Sequence, residues 1–380
     1  MRVMIVVTHL LGTGHLSRAL TLGRAFTEGG HQVLVVSGGM PAPQLDVKGL
    51  TLLGLPPLRS DGTNFTRLLD QDGREARDAY LAERSKELTR AVGQFLPDIL
   101  ITELFPFGRR ILTAEFQAAL EAAHALPQRP VILASVRDIL APPSKPAKVA
   151  LAEEMVTKYY DGVLVHSDPS VISLTTSWPV SPALEERLYY TGFVAQPAPV
   201  PHPHTLGAEE ILVSAGGGPV GQPIFHAAIE AARKMPNRRW RLLVGGQNAS
   251  LRIKELSKLA ADAPVVVEPV RPDFRQMLPF AAASVSMCGY NTAMDLLQSG
   301  TPAVLVPFDD GNEVEQTLRA HSLVRHSGFR MVESAGLTGD TLSDALNAAI
   351  ADAPRAPMVK GIDGARTSVE IAETLVEAKR

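Results

Sequence analysis

The chain has 380 residues, 45% hydrophobic and 20% charged, with 37 basic against 40 acidic residues and a net charge of −3. That length holds two domains, each able to bury a full core, and the near balance of charge argues against a nucleic-acid-binding surface. No apolar run approaches the roughly 18 residues of a membrane-spanning helix, and the single cysteine, Cys288, excludes an internal disulfide and suits a reducing compartment.

The chain opens with a β-branched run, Arg2–Thr8, then His9-Leu-Leu-Gly12-Thr13-Gly14-His15, then a helical pattern from Ser17 to Glu28. Strand, glycine loop and helix in that order begin a Rossmann-like domain. The apolar stretch Val3–Val7 is too short for a signal peptide, so the expected location is the cytoplasm. The spacing Gly12-x-Gly14-x-x-Ser17 approaches a dinucleotide fingerprint. The next strand, Gln32–Val36, nevertheless ends in Ser37-Gly38-Gly39 with no acid for an NAD ribose. His15 stands where a helix dipole disfavours the imidazolium, which leaves a neutral ring able to take a proton. The plainer alternative is a loop histidine bonded to backbone.

From Leu53 to Gly93 basic and acidic residues, Arg84 among them, alternate in near balance, which predicts a solvated helix. Asp70-Gln71-Asp72 lies off any core strand and is expected to be a surface turn, not a metal site. The strand Pro97–Ile101 leads into Thr102-Glu103-Leu-Phe-Pro-Phe-Gly-Arg109-Arg110. A carboxylate at the carboxyl end of a parallel strand lies over a binding crevice. Glu103 is therefore a second candidate base or acceptor ligand, or else the partner of Arg109 or Arg110. Val131–Ser135 is followed by Val136-Arg137-Asp138, where Arg137 either meets an acceptor or pairs with Asp138. After the strand Asp161–Val165, His166 is expected to be structural. Tyr189–Phe193 closes this half, and Ala195–His204, AQPAPVPHPH, is a stiff proline-rich linker.

The second half repeats the opening: Glu210–Ser214, then Ala215-Gly216-Gly217-Gly218, then a helix over Pro223–Lys234. Bare backbone of this kind can wrap a phosphate. Strands Arg239–Gly245 and Val265–Glu268 follow, the latter leading to Val270-Arg271-Pro272-Asp273. Two buried strands, Ser284–Cys288 and Ala303–Pro307, flank a short helix, Thr292–Gln298, in a βαβ unit. Gly289 allows close backbone approach. The helix start at Asn291 and Thr292 presents N–H groups and a positive dipole end to an anion such as a diphosphate. Asp295 is a short acceptor suited to a sugar diol, or else ties off its own helix in a capping box with Thr292. Cys288 is expected to be a small buried hydrophobe. A polar segment, Asp309 to Gln316, follows the next strand. Phe329–Val332, Thr341–Asp352 and Gly364–Ala378 complete the chain as strand, helix and helix.

Gly289, Thr292-x-x-Asp295, Gly300-Thr301-Pro302, Val306-Pro307-Phe308 and Glu315-Gln316, together with Gly12-Thr13-Gly14-His15, resemble the motifs of GT-B glycosyltransferases of the MurG type, glycosyltransferase family 28. The segments FPFGRR and VRDIL are similar to those of a bacterial branch of such proteins. The resemblance implies an α/β protein of GT-B fold, two Rossmann-like domains with parallel sheets facing a central cleft. It divides the chain into an acceptor-side domain at 1–194, a linker at 195–204 and a nucleotide-sugar donor domain at 205–362, with a last helix at 363–380 crossing back to the first domain. The implied activity is inverting, metal-independent transfer of a sugar from a nucleotide-diphosphate sugar, UDP-linked, to an unidentified acceptor. No cofactor beyond that co-substrate, no metal and no nucleic acid are expected. Lipid-linked acceptors and peripheral contact with the inner membrane face stay open. The implied donor contacts are Ser214, Gly216, Gly217, Gly218, Val270, Arg271, Gly289, Asn291, Thr292, Asp295, Glu315 and Gln316. Gly12, Thr13, Gly14 and Arg137 fall on the acceptor side, with His15 and Glu103 as catalytic candidates. Asp295 departs from the Glu usual in the family. A nucleotide-sugar hydrolase or epimerase, or a non-catalytic nucleotide-sugar-binding protein, are the alternatives on the same fold.

Overall fold

A computed structural model describes residues 1–61, 64–215, 221–246, 248–309, 314–352 and 355–379, without the side chains of 64–66. The chain divides into two units, Met1–Ala195 with Gly361–Arg380, and Gln196–Lys360.

In the first unit the strands are β1 (Arg2–Val7), β2 (Gln32–Gly39), β3 (Thr51–Asp61), β4 (Asn64–Leu69), β5 (Ile99–Glu103), β6 (Val131–Arg137), β7 (Gly162–His166) and β8 (Leu188–Tyr190). Their order in the sheet is β4-β3-β2-β1-β5-β6-β7-β8, parallel except for the antiparallel pairing of β4 with β3. The helices are α1 (Gly14–Glu28), α2 (Asp78–Phe95), α3 (Thr113–His124), α4 (Pro146–Tyr159) and the short α5 (Pro182–Glu185). The strands read as near-continuous apolar runs because helices cover both faces of the sheet. Val3, Ile5, Ile99, Ile101, Val131, Leu133 and Leu164 fill one face, and Met4, Val6, Leu100, Ile132, Val163 and Val165 the other.

The second unit carries β9 (Glu210–Ser214), β10 (Arg239–Val244), β11 (Val265–Pro269), β12 (Ala283–Ser286), β13 (Ala303–Leu305) and β14 (Phe329–Met331), in the all-parallel order β11-β10-β9-β12-β13-β14. Its helices are α6 (Gln222–Lys234), α7 (Ala249–Leu259), α8 (Phe274–Met277), α9 (Tyr290–Ser299), α10 (Glu315–Leu323) and α11 (Gly339–Ala351). The terminal helix α12 (Gly364–Lys379) belongs to the first unit. There Val369, Ala372 and Val376 join the apolar face that also holds α1. Phe193 donates its N–H to Gly361 O at 2.6 Å and accepts from Gly364 N–H at 3.0 Å, which fixes the entry to this helix.

Two elements differ from expectation. The segment expected as one solvated helix is a β3–β4 pair followed by α2, because Leu55, Leu58, Leu68 and Leu69 are apolar positions that the strands bury. Within α2, Arg84 is fully buried and not solvated. It shares the helix stripe of Leu88, Ala91 and Val92 and meets Glu115 in two 3.0 Å bonds. Its Nη1 also donates to the Gly38 carbonyl at 3.0 Å. A Cβ on Gly38 would stand 2.5 Å from that guanidinium, so glycine at the end of β2 makes room for a buried cation. The second difference is α1, which begins at Gly14 and not at Ser17. His15 therefore sits in its first turn.

Candidate active site

At the carboxyl edge of the first sheet the apolar columns of one face end in polar residues. Side chains alternate along a strand, so Ile99-Ile101-Glu103, Val131-Leu133-Ser135 and Leu164-His166 are each one column. Glu103, 1% exposed, accepts from Ser135 Oγ at 2.6 Å and from His15 Nδ1 at 2.9 Å, and it is ion-paired with Arg18 of α1. Ser135 Oγ is in turn 2.9 Å from His166 Nε2, and His166 Nδ1 is 2.9 Å from Thr191 Oγ1.

Burial works to raise the Glu103 pKa, but the Arg18 charge and the bonds from His15 and Arg18 hold it well below the usual carboxylate range. Glu103 is thus a fixed anion. Its oxygens are committed to Arg18, His15 and Ser135, so it supports His15 instead of standing as a separate base, and its direct bonds do not go to Arg109 or Arg110. Those two arginines donate to the Thr8 and Phe107 carbonyls, each at 2.6 Å. Burial pushes His15 down to about 3, Glu103 opposing and the charges of Arg109 and Arg137 assisting. His15 is therefore neutral at physiological pH, with its side chain 12% exposed.

Nδ1 lies 2.9 Å from the ionised Glu103 and 3.1 Å from Arg18 Nη2; because that guanidinium already donates to Glu103, the shorter contact with the carboxylate favours hydrogen on Nδ1. That places a lone pair on Nε2, which forms no hydrogen bond among the described residues. The neighbouring loop is open: a Cβ on Gly12 or Gly14 would meet nothing within 4 Å, and Thr13 caps α1 without a side-chain bond. Arg137, the last residue of β6, donates from Nε to Ile139 O at 3.1 Å.

The second unit presents a different edge. β12 leads through Cys288, fully buried as expected, to Gly289, which is the N-cap of α9 and has no capping side chain behind it. A Cβ on Gly289 would also meet nothing within 4 Å. Asn291 is exposed and Thr292 half-buried in the first turn. Because α9 starts at Tyr290, Thr292 is not its cap and Asp295 ties off nothing, which removes the capping-box alternative. Asp295 instead accepts from Arg275 Nε at 2.6 Å. Burial raises its pKa and Arg275 opposes that.

Gln316, expected against a donor sugar, uses its side-chain oxygen to accept from Cys288 N at 3.0 Å and Phe308 N at 3.2 Å, tying together the segments after β12 and β13. Glu315 pairs with the buried Arg319 at 2.9 Å, and Arg319 also donates to Cys288 O. Arg271 is held in two bonds by Asp273, at 2.8 and 2.7 Å, and the Val270 N–H goes to Val244 O at 3.1 Å. Ser214 ends β9, while Gly216, Gly217 and Gly218 lie outside the described residues. Asp70 turns back on the N–H groups of Asp72 and Arg74, each at 2.9 Å, a surface turn. No cluster of metal-ligating side chains occurs among the described residues.

Sequence reasoning passed over Arg18, Ser135, Thr191, Arg275 and Arg319. Arg18 carried a usable signal, since it lies one and two helical repeats before the buried Leu22 and Phe26.

Two parallel-sheet Rossmann-like units in succession define the GT-B class. The chain aligns over 98% of its length with the whole of Acinetobacter baumannii MurG at a TM-score of 0.64 and 14% identity. It aligns over its full length with 98% of the calicheamicin glycosyltransferase CalG4 at 0.63 and 17% identity. Residues 212–374 match the glycosyltransferase family 28 C-terminal domain. Among curated proteins, the UDP-N-acetylglucosamine–N-acetylmuramyl-(pentapeptide) pyrophosphoryl-undecaprenol N-acetylglucosamine transferase of Brucella anthropi is 30% identical over 175 residues, 43% of this chain and 46% of that protein. The enzyme of that name from Exiguobacterium sibiricum is 28% identical over 160 residues, 40% and 43% respectively. The chain thus spans about half the length of the curated relatives it matches. The chain has the GT-B fold, and its residues 212–374 match the family 28 domain.

Proposed function

We propose that the chain is an inverting glycosyltransferase that moves a sugar from a UDP-linked donor to a hydroxyl acceptor. The observation that carries this is the His15–Glu103 pair, at 2.9 Å, next in the chain to the Gly12–Gly14 loop, where a Cβ would meet nothing within 4 Å. In the reaction, His15 Nε2 takes the proton of the acceptor hydroxyl as its oxygen attacks the anomeric carbon. Glu103 steadies the imidazolium as it forms. The bond from the anomeric carbon to the diphosphate oxygen breaks, and the nucleoside diphosphate leaves from the face opposite the attack, which inverts the anomeric centre.

The second unit binds the donor in this scheme. The Asn291 and Thr292 N–H groups in the first turn of α9 and the Gly216–Gly218 segment receive the diphosphate without a resident metal. Asp295 accepts from the ribose diol through the oxygen that Arg275 does not hold. Val270 and Arg271 flank the base, and Glu315 and Gln316 line the sugar. UDP is favoured because the curated relatives are named as UDP-sugar transferases. Their acceptor is named as an undecaprenol-linked lipid, which supports a lipid-linked acceptor here and work at the inner face of a membrane. No described helix is long and apolar enough to cross one.

The test is turnover of a UDP-sugar by the purified protein with and without candidate acceptors, together with His15→Ala and Asp295→Ala. Acceptor-dependent release of UDP that both variants impair supports the scheme. Equal release without acceptor, or turnover that ignores both variants, overturns it.

A further inference from the structure

His166 is fully buried at the end of β7, out of reach of the open loop, and the proposed reaction gives it no task. Its surroundings nevertheless lead to His15 through hydrogen bonds alone. Thr191 Oγ1, His166, Ser135 Oγ and Glu103 are linked by contacts of 2.9, 2.9 and 2.6 Å, and Glu103 meets His15 at 2.9 Å.

The direction of these bonds follows from counting hydrogens. Glu103 is ionised and can only accept, so the single Ser135 hydroxyl hydrogen points to Glu103. Ser135 Oγ must then accept from His166, which places a hydrogen on His166 Nε2. Burial and the Arg18 charge push His166 down to about 3, so the ring is neutral and Nδ1 has a lone pair to accept from Thr191. Thr191 Oγ1 also lies 2.7 Å from Gly192 O, and its one hydrogen cannot serve both. Given to His166, that hydrogen leaves lone pairs facing at the 2.7 Å Gly192 contact; given to Gly192, it leaves them facing at His166 Nδ1, so the Ser135–Glu103 end of the chain, and not Thr191, sets the His166 tautomer.

We infer that His166 is a positioning residue for His15: by donating to Ser135 it holds Ser135 Oγ in the rotamer from which the hydroxyl reaches Glu103, and so steadies the carboxylate that faces His15 Nδ1. The inference rests on His15 being the proton acceptor of the proposed reaction, but the coupling itself can be read without any substrate. The charged groups facing His15 are Glu103 from β5, Arg18 from α1, Arg109 from the loop after β5 and Arg137 from β6, with neutral His166 behind Ser135. Of these, only Glu103 is bonded to the Ser135–His166 pair.

The experiment is histidine-selective 15N NMR of the full chain, with His15 assigned among its ten histidines by the loss of its signals in His15→Gln. In the unaltered protein His15 shows the Nδ1–H tautomer from pH 5 to 8. In Ser135→Ala the Glu103 charge loses a donor, and in His166→Phe the Ser135 hydroxyl loses the N–H that anchors it against Glu103; in both, the carboxylate draws the His15 proton more strongly. The His15 titration midpoint then rises by about one pH unit and the tautomers mix. The double variant shows no more than either single change, because the two residues act in series, and His166→Gln, which keeps an N–H near Nε2, restores the original signals.

An unmoved His15 midpoint and tautomer in folded His166→Phe, or additive shifts in the double variant, overturns the inference. Should His166→Phe not fold, Ser135→Ala with His166→Gln decides: a shift in the first and none in the second supports the coupling, and any other result overturns it. If turnover depends on His15 while its tautomer ignores His166, the coupling fails and the proposed function stands. If no donor is turned over while the NMR coupling holds, the reverse is true.

Discussion

The carboxyl edges of the two sheets are built from the same kind of strand and end differently. In the first unit the apolar columns finish in side chains that bond one another: Glu103, Ser135 and His166, closed by Arg18 and His15 from α1. In the second unit the corresponding turn into α9 has no capping side chain, and Gly289 faces empty space. A buried, saturated network holds one group, here His15, neutral, as the proposed proton transfer requires. Bare N–H groups at a helix start do not discriminate protonation states but attract an anion. Parallel strands therefore supply a platform in both units, and in the proposed scheme the residue placed at each strand end decides whether it serves chemistry or binding.

The largest effect expected to sharpen this division is that of His15→Ala, which should lower kcat by ~10²–10⁴-fold while leaving the affinity for UDP unchanged. Steady-state kinetics beside a binding isotherm check both parts. A matching loss of UDP affinity would break the division.

Next in size is Glu103→Ala, which strands the Arg18 charge in a buried site. Removing one partner of a buried pair costs about 3–5 kcal/mol, to be read as lost stability in denaturant melts, with the second unit's UDP binding intact in protein that remains folded.

The third expectation concerns pH. His15 and His166 are both pushed from 6.5 to about 3 in the folded protein. Between those values the unfolded chain binds two protons that the folded chain does not, so stability falls as pH drops through this window. Each proton contributes about 1.4 kcal/mol per pH unit. Denaturant melts between pH 4 and 6 should therefore lose about that much slope in His166→Phe. An unchanged slope would mean that His166 is protonated in the fold.

Much of this edge can be read along the chain. The runs Ile99–Glu103 and Val131–Ser135 are near-continuous apolar stretches that end in a polar residue, which is why Glu103 can be identified from sequence alone. His166 ends its strand in the same way, but a lone histidine after an apolar run does not reveal its partner, because Ser135 and Thr191 reach it only through strand order. Arg84 and Arg18 were hidden by their charge, although each occupies the apolar stripe of its helix. The capping-box alternative at Thr292 and Asp295 falls for a local reason: α9 begins two residues earlier, at Tyr290, so the spacing lies inside the helix and Asp295 turns to Arg275.

Smaller effects concern the second unit. Gly289→Ala should leave stability within about 0.5 kcal/mol, since its Cβ would meet no protein atom. It should still weaken nucleotide binding, because the space it enters is kept for the ligand. Thermal melts and titration of the same sample separate the two. Unimpaired binding would place the diphosphate elsewhere.

The account is tested most directly by isothermal titration of UDP into the unaltered protein and into Asp295→Ala. Selective binding of UDP over other nucleoside diphosphates, weakened about tenfold in the variant by the lost ribose bond, is the predicted result. Absence of binding by any nucleoside diphosphate, or binding that ignores Asp295, would contradict it.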